Sequence, residues 1–513
     1  MNGAESLVKT LVAQGVQTCF ANPGSSEMHF LKALDNPAMR SVLCLFEGVA
    51  TGAADGFFRM KGTPAATLLH LGPGLANGLA NLHNARKAGS GIVNVVGDHA
   101  SHHLQYDAPL ASDLDGIARP LSHFLRRANS PKSIAVEAAR TVSAARPGKI
   151  ATLILPGDAS WGEAGEPQNF PIEAPTPRTP PSKRIDNVAR ALKKAEGPVL
   201  VVLGGRACRG EGLELAGKLA AATGCRLATQ FFSARIERGA GRTPLERIPY
   251  FVAPALEFLK NFRHIVTVET GEPVAFFSYP DSPSLLKPEG CAVHMLAEKD
   301  EDGAAALGML LGALGAQNIA ARKQERAEPV VPNGKLDPTS IALALAAALP
   351  ENAIVVDESL TTGRSTAGLT LGAAPHDMIQ NMGGSIGFST PVATGAALAC
   401  PDRRVICMTG DGSAMYTIQS LWTHARENLD ITTIIFANRE YQILKAEYAN
   451  MGFQEIGPQA LAMMEIDRPT IDFCALAKGM GVPSSRVATA DAFYRMLQKS
   501  CAEPGPMLIE VCL

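Results

Sequence analysis

Two oxygen-bearing side chains, Asp411 and Asn438, follow apolar segments that are short enough to form buried strands. Asp411 stands in a Gly-Asp-Gly turn (410–412) after the apolar run 405–408, and Asn438 comes soon after the run 431–436. The residues between have helical spacing, so the stretch is predicted to form a βαβ unit with parallel strands. Both side chains then lie at the carboxyl edge of a sheet, where open α/β sheets bind ligands.

The chemistry available at this edge is that of a magnesium and diphosphate site. A carboxylate, a side-chain amide oxygen and a backbone carbonyl are hard oxygen ligands that suit Mg²⁺. Gly412, Ser413 and the first amides of the following helix can donate to phosphate oxygens, helped by the helix dipole. The tripeptide alone is more typical of an ordinary tight turn. The complete pattern of strand, turn, helix, strand and asparagine favours the ligand site.

The spacing of this pattern resembles a family signature. A Gly-Asp-Gly turn, 25 residues (413–437) and an asparagine are typical of thiamine-diphosphate-dependent enzymes of the decarboxylase and acetohydroxyacid synthase family. The chain resembles this family over nearly its whole length, and its benzoylformate decarboxylases most of all. The resemblance implies thiamine diphosphate and Mg²⁺ as cofactors, with the metal held by Asp411, Asn438 and the backbone carbonyl of Glu440. Many relatives carry Asn-Asn where this chain has Ala437-Asn438, but the ligand position is intact. The further cofactor contacts that it implies are Asn22, Pro23, Gly24, Asn77, Gly384, Ile386, Gly410, Gly412, Ser413 and Tyr441.

Glu47 lies between a predicted strand (41–46) and a predicted helix rich in alanine and glycine (48–60). Its carboxylate is either poorly solvated there or a plain helix N-terminal acid that the dipole stabilises. The resemblance favours a catalytic role, because Glu47 matches the glutamate that bonds the pyrimidine N1′ of thiamine. In this family that glutamate meets the Gly-Asp-Gly motif across a subunit interface. A homodimer is therefore the expected minimum, and a homotetramer is the expected assembly.

Other polar residues of the first third are further candidates. Ser25 aligns with a substrate-contacting serine of benzoylformate decarboxylases. His70 ends the predicted strand 65–69; such a histidine is more often structural, but the resemblance makes it an active-site acid or base. His102 and His103 resemble the paired histidines of pyruvate decarboxylases in location, but a solvated loop is the favoured interpretation.

A glycine-rich loop, 383–387, precedes a predicted helix in the last third. Its glycines could serve only a close-packed start of that helix. The resemblance instead gives the Gly384 carbonyl to the cofactor 4′-amino group and makes Ile386 the apolar wedge under the bent cofactor. Tyr441 then follows the metal loop into the substrate pocket, although at helical spacing it could equally be core.

The fold predicted for the whole chain is α/β, with three doubly wound domains built on parallel sheets, because apolar runs alternate with helical patterns throughout. Two proline-containing linkers divide it. The predicted order is a pyrimidine-binding domain (1–165), a linker (166–183), a central domain (184–327), a second linker (328–338) and a diphosphate- and Mg-binding domain (339–513).

The central domain has a strand-turn-helix pattern at 199–210 but lacks G-x-G-x-x-G. In acetohydroxyacid synthases this domain binds FAD, and in the decarboxylases it is structural; we expect the structural role. Benzoylformate decarboxylase also delivers a second active-site histidine from this domain. The corresponding segment here, 273–286, contains phenylalanines and serine but no histidine.

The composition excludes several functional classes. A net charge of −2 gives no argument for nucleic acid or a membrane surface, and no apolar run approaches the length of a membrane span. The ten cysteines include no C-x-x-C pair, so neither a zinc site nor a disulfide framework is predicted, and a reducing cytoplasm is expected. The N-terminus is predicted to start an amphipathic helix rather than to be a signal peptide.

The predicted function is the non-oxidative decarboxylation of a 2-oxo acid. The reaction ends either with release of an aldehyde or with carboligation to a second carbonyl compound. Phe276, Phe277, Ile443 and Leu444 favour an apolar or aromatic, benzoylformate-like substrate. The nearest alternative is a carboligase of the acetolactate synthase type. A more remote one is a non-catalytic regulatory protein that binds a nucleotide.

Overall fold

The computed structural model describes residues 1–167 and 176–513. Three sheets, each built mainly of parallel strands and covered by helices, confirm the predicted α/β class with three such units. Of the first predicted linker, residues 168–175 lie outside the described part of the chain. All but the last residue of the second predicted linker falls in a stretch, 315–337, that has neither helix nor strand.

The first sheet follows the predicted pattern closely. Its strands β3 and β4 are buried along their whole length, as expected where helices cover both faces. Helix α3 (Glu47–Lys61) begins at Glu47, one residue before the predicted start, whereas the strand before it, β2 (Arg40–Leu43), ends three residues earlier than predicted. Among the described residues six parallel strands pair in the order β2-β1-β3-β4-β6-β5. The elements are α1 (Gly3–Ala13), β1 (Thr18–Ala21), α2 (Met28–Ala33), β2 (Arg40–Leu43), α3 (Glu47–Lys61), β3 (Ala65–Leu69), α4 (Leu71–Ala88), β4 (Ile92–Asp98), α5 (Leu114–Ala118), β5 (Phe124–Arg127), α6 (Ile134–Ala145), β6 (Ile150–Pro156) and α7 (Gly157–Trp161).

The central sheet holds five parallel strands of the described chain in the order β10-β8-β7-β11-β12. Strand β9 belongs to the same stretch of sequence but leaves this sheet and joins the next one. The elements are α8 (Ser182–Lys193), β7 (Val199–Leu203), α9 (Gly210–Thr223), β8 (Arg226–Thr229), β9 (Ile236–Arg238), β10 (Glu246–Arg247), α10 (Val252–Leu259), β11 (His264–Val268), β12 (Ala292–Ala297) and α11 (Gly303–Leu314).

The third sheet contains the predicted βαβ unit. Its seven described strands run in the order β17-β18-β16-β15-β13-β14-β9, and every pair is parallel except β14 with β9. Strands β15 and β16 are neighbours, with Gly410 opposite Phe436. The elements are α12 (Pro338–Ala348), β13 (Ala353–Glu358), α13 (Thr366–Leu369), β14 (His376–Gln380), α14 (Ser389–Ala399), β15 (Val405–Gly410), α15 (Asp411–Ala414), α16 (Ser420–Arg426), β16 (Ile431–Ala437), α17 (Gln442–Asn450), α18 (Pro458–Ala462), α19 (Phe473–Gly479), β17 (Ser484–Val487), α20 (Ala490–Ala502) and β18 (Met507–Cys512).

The connection between β15 and β16 differs from the single helix that the spacing predicted. It breaks between α15 and α16, where Thr417 Oγ1 donates to the Gly387 carbonyl at 2.9 Å. A Cβ added at Gly387 would lie 2.5 Å from the Cβ of Tyr416, so the break lies directly against this glycine. These contacts pack the motif against the loop 383–387.

Helices α3 and α14 join the first and third domains of one chain. A Cβ added at Gly395 would lie 1.8 Å from the Ala53 carbonyl oxygen, and one at Gly56 would lie 2.1 Å from that of Val392. Only glycine allows backbones to approach so closely. One continuous cluster of buried apolar side chains spans both domains around this crossing. The crossing thereby fixes the start of α3, with Glu47, relative to the loop before α14.

No helix in the described part of the chain has the length and apolar character needed to cross a bilayer.

Candidate active site

Glu47 is held by an asparagine of the neighbouring helix. The side chain of Asn77, on α4, donates to Glu47 Oε2 at 3.0 Å, and only 5% of Glu47 is exposed. A Cβ added at Gly74 would lie 3.0 Å from Glu47 Oε1. The structure thus brings two predicted site residues together and leaves Oε1 beside a small residue.

His70 sits against a carboxylate that the sequence did not reveal. Its Nδ1 lies 2.9 Å from Oε2 of the buried Glu27 and 3.3 Å from the hydroxyl of Ser26. The predicted Gly24 makes this possible, because a Cβ there would lie 2.1 Å from His70 Nδ1, and its amide also donates to Glu27 at 2.8 Å. With Nδ1 engaged, Nε2 is the nitrogen left to exchange a proton.

We name Ser26, Glu27, Glu47, His70 and Asn77 the first-domain cluster. Ser25, predicted to contact substrate, is exposed, and its neighbour Ser26 is the serine that reaches His70. The role of Ser25 as a contact of the substrate stays a prediction. His102 and His103 are exposed, in line with the solvated interpretation.

Asp411 joins the ends of two neighbouring strands. Its Oδ2 accepts the amide of Arg439 at 2.6 Å and its Oδ1 accepts that of Gly412 at 2.8 Å. Asn438 Oδ1 accepts the amide of Glu440 at 3.3 Å, and Arg439 between them has a φ of +61°. Only 3% of Asp411 is exposed, and burial raises the pKa of its carboxyl.

A small cavity of about 30 Å³ opens at this point, lined by Asp411, Asn438, Glu440 and Ser413. We name these four residues the third-domain cluster. The Glu440 carboxylate is paired with Lys445, which leaves its backbone carbonyl as the oxygen expected at the metal. Oxygen donors of carboxylate, amide and carbonyl type fit Mg²⁺ in both number and chemistry. The residues present therefore suit the implied metal and diphosphate.

The segment after β13 lines the same small cavity, from Ser359 to Thr362. Strand β13 is the neighbour of β15 in the sheet, so its carboxyl end reaches the same edge. The sequence signal for this segment is a polar end of a strand. The three hydroxyl groups among residues 359–362 could have indicated contacts with a phosphate group.

The loop 383–387 is shaped by two buried polar side chains. Asn381 Oδ1 accepts the amides of Gly383 and Gly384, at 3.1 and 2.9 Å, and Glu358 accepts those of Phe388 and Ser389 at 3.0 to 3.3 Å. Burial raises the pKa of Glu358 to about 7, although these amides oppose the rise. Neither Asn381 nor Glu358 was predicted from the sequence to shape this loop.

Gly384 has a φ of +77°, and a Cβ there would lie 2.9 Å from the Phe276 ring. The predicted loop glycine is thus required for its backbone conformation and for the close approach of an aromatic side chain from the central domain.

A large cavity of about 950 Å³ adjoins this loop and is lined mainly by apolar residues. Four of the residues predicted to contact the cofactor line it, namely Gly384, Ile386, Ser413 and Tyr441. The predicted apolar residues Phe276, Phe277, Ile443 and Leu444 also line it, together with Phe231, Phe232, Tyr250 and Phe251, which the sequence analysis did not identify.

The lining of this cavity includes none of the described residues of the first domain. Neither the large cavity nor the small one is lined by a described residue of the first-domain cluster.

The strand-turn-helix of the central domain is closed by a carboxylate of the same domain. Glu269, at the end of β11, accepts the amides of Arg206 and Gly303 at 2.5 and 2.9 Å. A Cβ added at Gly205 would lie 2.3 Å from its Oε2. Glu269 thus occupies the position that a phosphate takes at such a turn, in keeping with the structural role expected for this motif.

The two cofactor-binding halves of the chain match known domains. Residues 1–118 match the N-terminal TPP binding domain of thiamine pyrophosphate enzymes, and residues 363–511 match the C-terminal TPP binding domain. The two matched segments contain all of the residues of the first-domain and third-domain clusters.

Relatives cover the chain from end to end. The Mycobacterium tuberculosis protein named "Putative acetolactate synthase large subunit IlvX" is 48% identical over 100% of this chain and 99% of its own. Benzoylformate decarboxylase of Pseudomonas aeruginosa is 30% identical over 97% of this chain and 96% of its own. The Rhodococcus jostii RHA1 thiamine diphosphate-dependent 4-hydroxybenzoylformate decarboxylase has a similar structure, with a TM-score of 0.82, 26% identity and coverage of 99% and 98%.

The fold and these matches define a thiamine-diphosphate-dependent enzyme. The chain belongs to the family that contains the benzoylformate decarboxylases and acetolactate synthases.

Proposed function

We propose that the protein is a decarboxylase that uses thiamine diphosphate and Mg²⁺ to convert an aromatic or apolar 2-oxo acid to an aldehyde. The observation that carries this proposal is the large cavity, which joins the predicted cofactor loop to an aromatic wall. Phe276 contributes to both, because its ring lies against Gly384. Apolar surroundings favour an apolar substrate body and favour loss of the charged carboxylate.

In this proposal the third-domain cluster holds the cofactor tail. Asp411, Asn438 and the Glu440 carbonyl hold Mg²⁺, and Ser413 donates to the diphosphate. The Gly384 carbonyl accepts from the 4′-amino group, with Ile386 beneath the rings. Thiamine diphosphate, when bound, supplies a thiazolium that accepts the electron pair left by departing CO₂.

Residues of the first-domain cluster transfer protons. Glu47 holds a proton at the pyrimidine N1′, with Asn77 fixing its other oxygen. His70, oriented by Glu27, gives or takes a proton at the substrate through Nε2. The aromatic wall excludes water from the reacting carboxylate.

A second copy of the chain supplies the first-domain cluster to the cavity. The cavity of one chain is open at residues that are largely exposed, including Tyr416 at 54% and Met463 at 78%. Large apolar side chains of this kind are typical of surfaces that become buried in an assembly. A homodimer is the minimum assembly, and a homotetramer is the one we infer.

A panel of 2-oxo acids tests the substrate class. Purified protein with thiamine diphosphate and Mg²⁺ is assayed for CO₂ release from benzoylformate, 2-oxooctanoate and pyruvate. We expect kcat/KM for benzoylformate to exceed that for pyruvate by about tenfold or more. The phenyl group of benzoylformate buries more apolar surface than the methyl group of pyruvate, by at least the equivalent of about two or three methylene groups. A clearly faster reaction with pyruvate contradicts the proposal.

A carboligase of the acetolactate synthase type is the second candidate, favoured by the 48% identity to the Mycobacterium tuberculosis protein. Acetolactate formed from pyruvate by a yellow, FAD-containing preparation supports this candidate. The retained Glu47, Asp411 and Asn438 argue against a purely regulatory protein, since a binding module has no need of a carboxylate beside the pyrimidine.

A further inference from the structure

The large cavity extends well beyond the cofactor loop. Its far part is a crevice between β9, β10 and the region of α13, and it is lined by Arg238, Arg247 and Arg364. Arg238 pairs with His376, four residues before Gln380 at the carboxyl end of β14. At the usual rise of a strand, this places Arg238 roughly 14 Å from the sheet edge that carries the proposed active site.

Among the residues that the structure describes, these three arginines have no ion-pair partner. No carboxylate oxygen of the described residues lies within 4.0 Å of any of their guanidinium groups. Arg238 is only 7% exposed; it donates to the Ala367 carbonyl and to Met378 Sδ, and its Nε has no partner in the described chain. A buried guanidinium with an unused donor is costly unless a ligand completes it.

The other two guanidinium groups lie over aromatic rings. Arg247 lies 4.0 Å from the ring centroid of Phe231, and Arg364 lies 4.8 Å from that of Phe251. Arginine combines such aromatic contacts with a planar set of donors that suits a carboxylate.

Most acids that line the crevice are already engaged. Glu237 pairs with Arg242, and Glu246 pairs with Arg226. Glu447 Oε2 accepts the hydroxyl of Tyr279 at 2.8 Å, and the charge of this carboxylate acts on Arg364. The charges of Glu237 and Glu246 are therefore matched by Arg242 and Arg226, and that of Glu447 acts on Arg364 and not on Arg238 or Arg247.

Asp357 is the carboxylate whose charge acts on both Arg238 and Arg247, and it accepts the amide and the hydroxyl of Ser359. Burial lowers the pKa of Arg238 to about 10, so this arginine remains a cation at neutral pH. Two cations and one carboxylate leave about one positive charge uncompensated at this end of the crevice.

We propose that the crevice binds an elongated organic anion. Its acid group pairs with Arg238 and Arg247, and its apolar body lies along Phe231, Phe232 and Tyr250 towards the cofactor loop. Two sources share this chemistry. One is the far end of an elongated 2-oxo acid, in which case the inference rests on the proposed function; the other is a separate anionic molecule.

Binding of decanoate, compared with decanamide, tests the charge requirement. Titration calorimetry is performed on the full-length protein saturated with thiamine diphosphate and Mg²⁺. We expect decanoate to bind about tenfold more tightly or better, because a charge-assisted pair replaces a neutral contact. The preference disappears in Arg247→Met and in Arg238→Met, with folding checked by thermal unfolding.

Arg126→Met is the matched control. Arg126 also lies over a phenylalanine ring, that of Phe124, but it is paired with Glu137, and neither residue lines the crevice. This variant retains the preference. Equal affinity for decanoate and decanamide overturns the proposal, as does a preference that survives both Arg247→Met and Arg238→Met.

Kinetics then separate the two sources. If Arg247→Met raises KM for 2-oxododecanedioate but not for 2-oxododecanoate, the anion is the far end of the substrate. If neither KM changes while the decanoate preference is lost, the anion is a separate ligand. A protein that shows the binding preference but decarboxylates no 2-oxo acid retains this inference and loses the proposed function.

Discussion

Asn77 donates a hydrogen bond of 3.0 Å to Glu47 Oε2, and this contact orients a carboxylate that is almost completely buried at the start of α3. One carboxylate oxygen is thereby engaged, and Oε1 is left beside Gly74, where a side chain would collide with it. This arrangement suits an acid that must exchange a proton with a ligand in a fixed direction.

Glu47→Gln removes the exchangeable proton but keeps the side-chain shape and an oxygen that can accept from Asn77. We expect kcat to fall by about 100-fold or more, in the range of a lost general acid or base. Cofactor affinity in the presence of Mg²⁺, measured by titration calorimetry, should change little. Full activity in this variant contradicts the role given to Glu47.

Asp411→Asn removes the charge beside the proposed metal while keeping an oxygen that can accept an amide. Mg²⁺-dependent binding of thiamine diphosphate should weaken by about tenfold or more, since the carboxylate is a preferred Mg²⁺ ligand. Chelation of the metal by EDTA should weaken cofactor binding to the wild-type protein as well.

The matched control for this variant is Asp430→Asn. Asp430 also accepts a backbone amide, that of Gly505 at 2.6 Å, but it stands at the opposite end of β16. An equal loss of cofactor binding in both variants would show that the effect is structural and not that of a metal ligand.

Gly384→Ala adds a Cβ at a φ of +77° and 2.9 Å from the Phe276 ring. We expect the free energy of unfolding to fall by about 1 kcal/mol from backbone strain, and kcat/KM to fall as the loop shifts. Gly224→Ala has the same strain, with a φ of +72° and no atom within 4 Å of the added Cβ. It should lose stability without losing activity; equal activity losses would exclude a specific role for Gly384.

Glu358 makes stability depend on pH. Its pKa is raised from 4.5 to about 7 by burial, so the folded protein holds this proton more tightly than the unfolded chain does. Its contribution to stability is fully present below about pH 4.5 and is lost as the pH rises to about 7. The wild-type Tm minus the Glu358→Gln Tm should therefore fall between these values. A difference that rises with pH contradicts this assignment.

The sequence predicted the strands well because their apolar runs are local. Strand β3 has the predicted bounds, and Glu47 lies at the start of a helix. The place of Asp411 and Asn438 at one sheet edge also followed from local pattern, since parallel neighbours bring their carboxyl ends together.

The rest depends on contacts between residues far apart in sequence. Glu27 reaches His70 only because a short loop after β1 crosses the end of β3, and no periodicity marks that approach. Strand β9 carries three residues into another domain's sheet, too few for a pattern. In the sequence Arg238, Arg247 and Arg364 resemble ordinary surface charges. Their lack of an ion-pair partner among the described residues follows only from where the fold places the neighbouring acids.

In the proposed assembly each active site combines the first-domain cluster of one subunit with the third-domain cluster of another. A mixed dimer of a Glu47→Gln subunit and an Asp411→Asn subunit, isolated with two different affinity tags, tests it most directly. In a two-fold dimer one site then carries both substitutions and the other carries neither, so about half of the wild-type kcat per dimer should return. A mixed dimer as inactive as its two parent variants contradicts the claim.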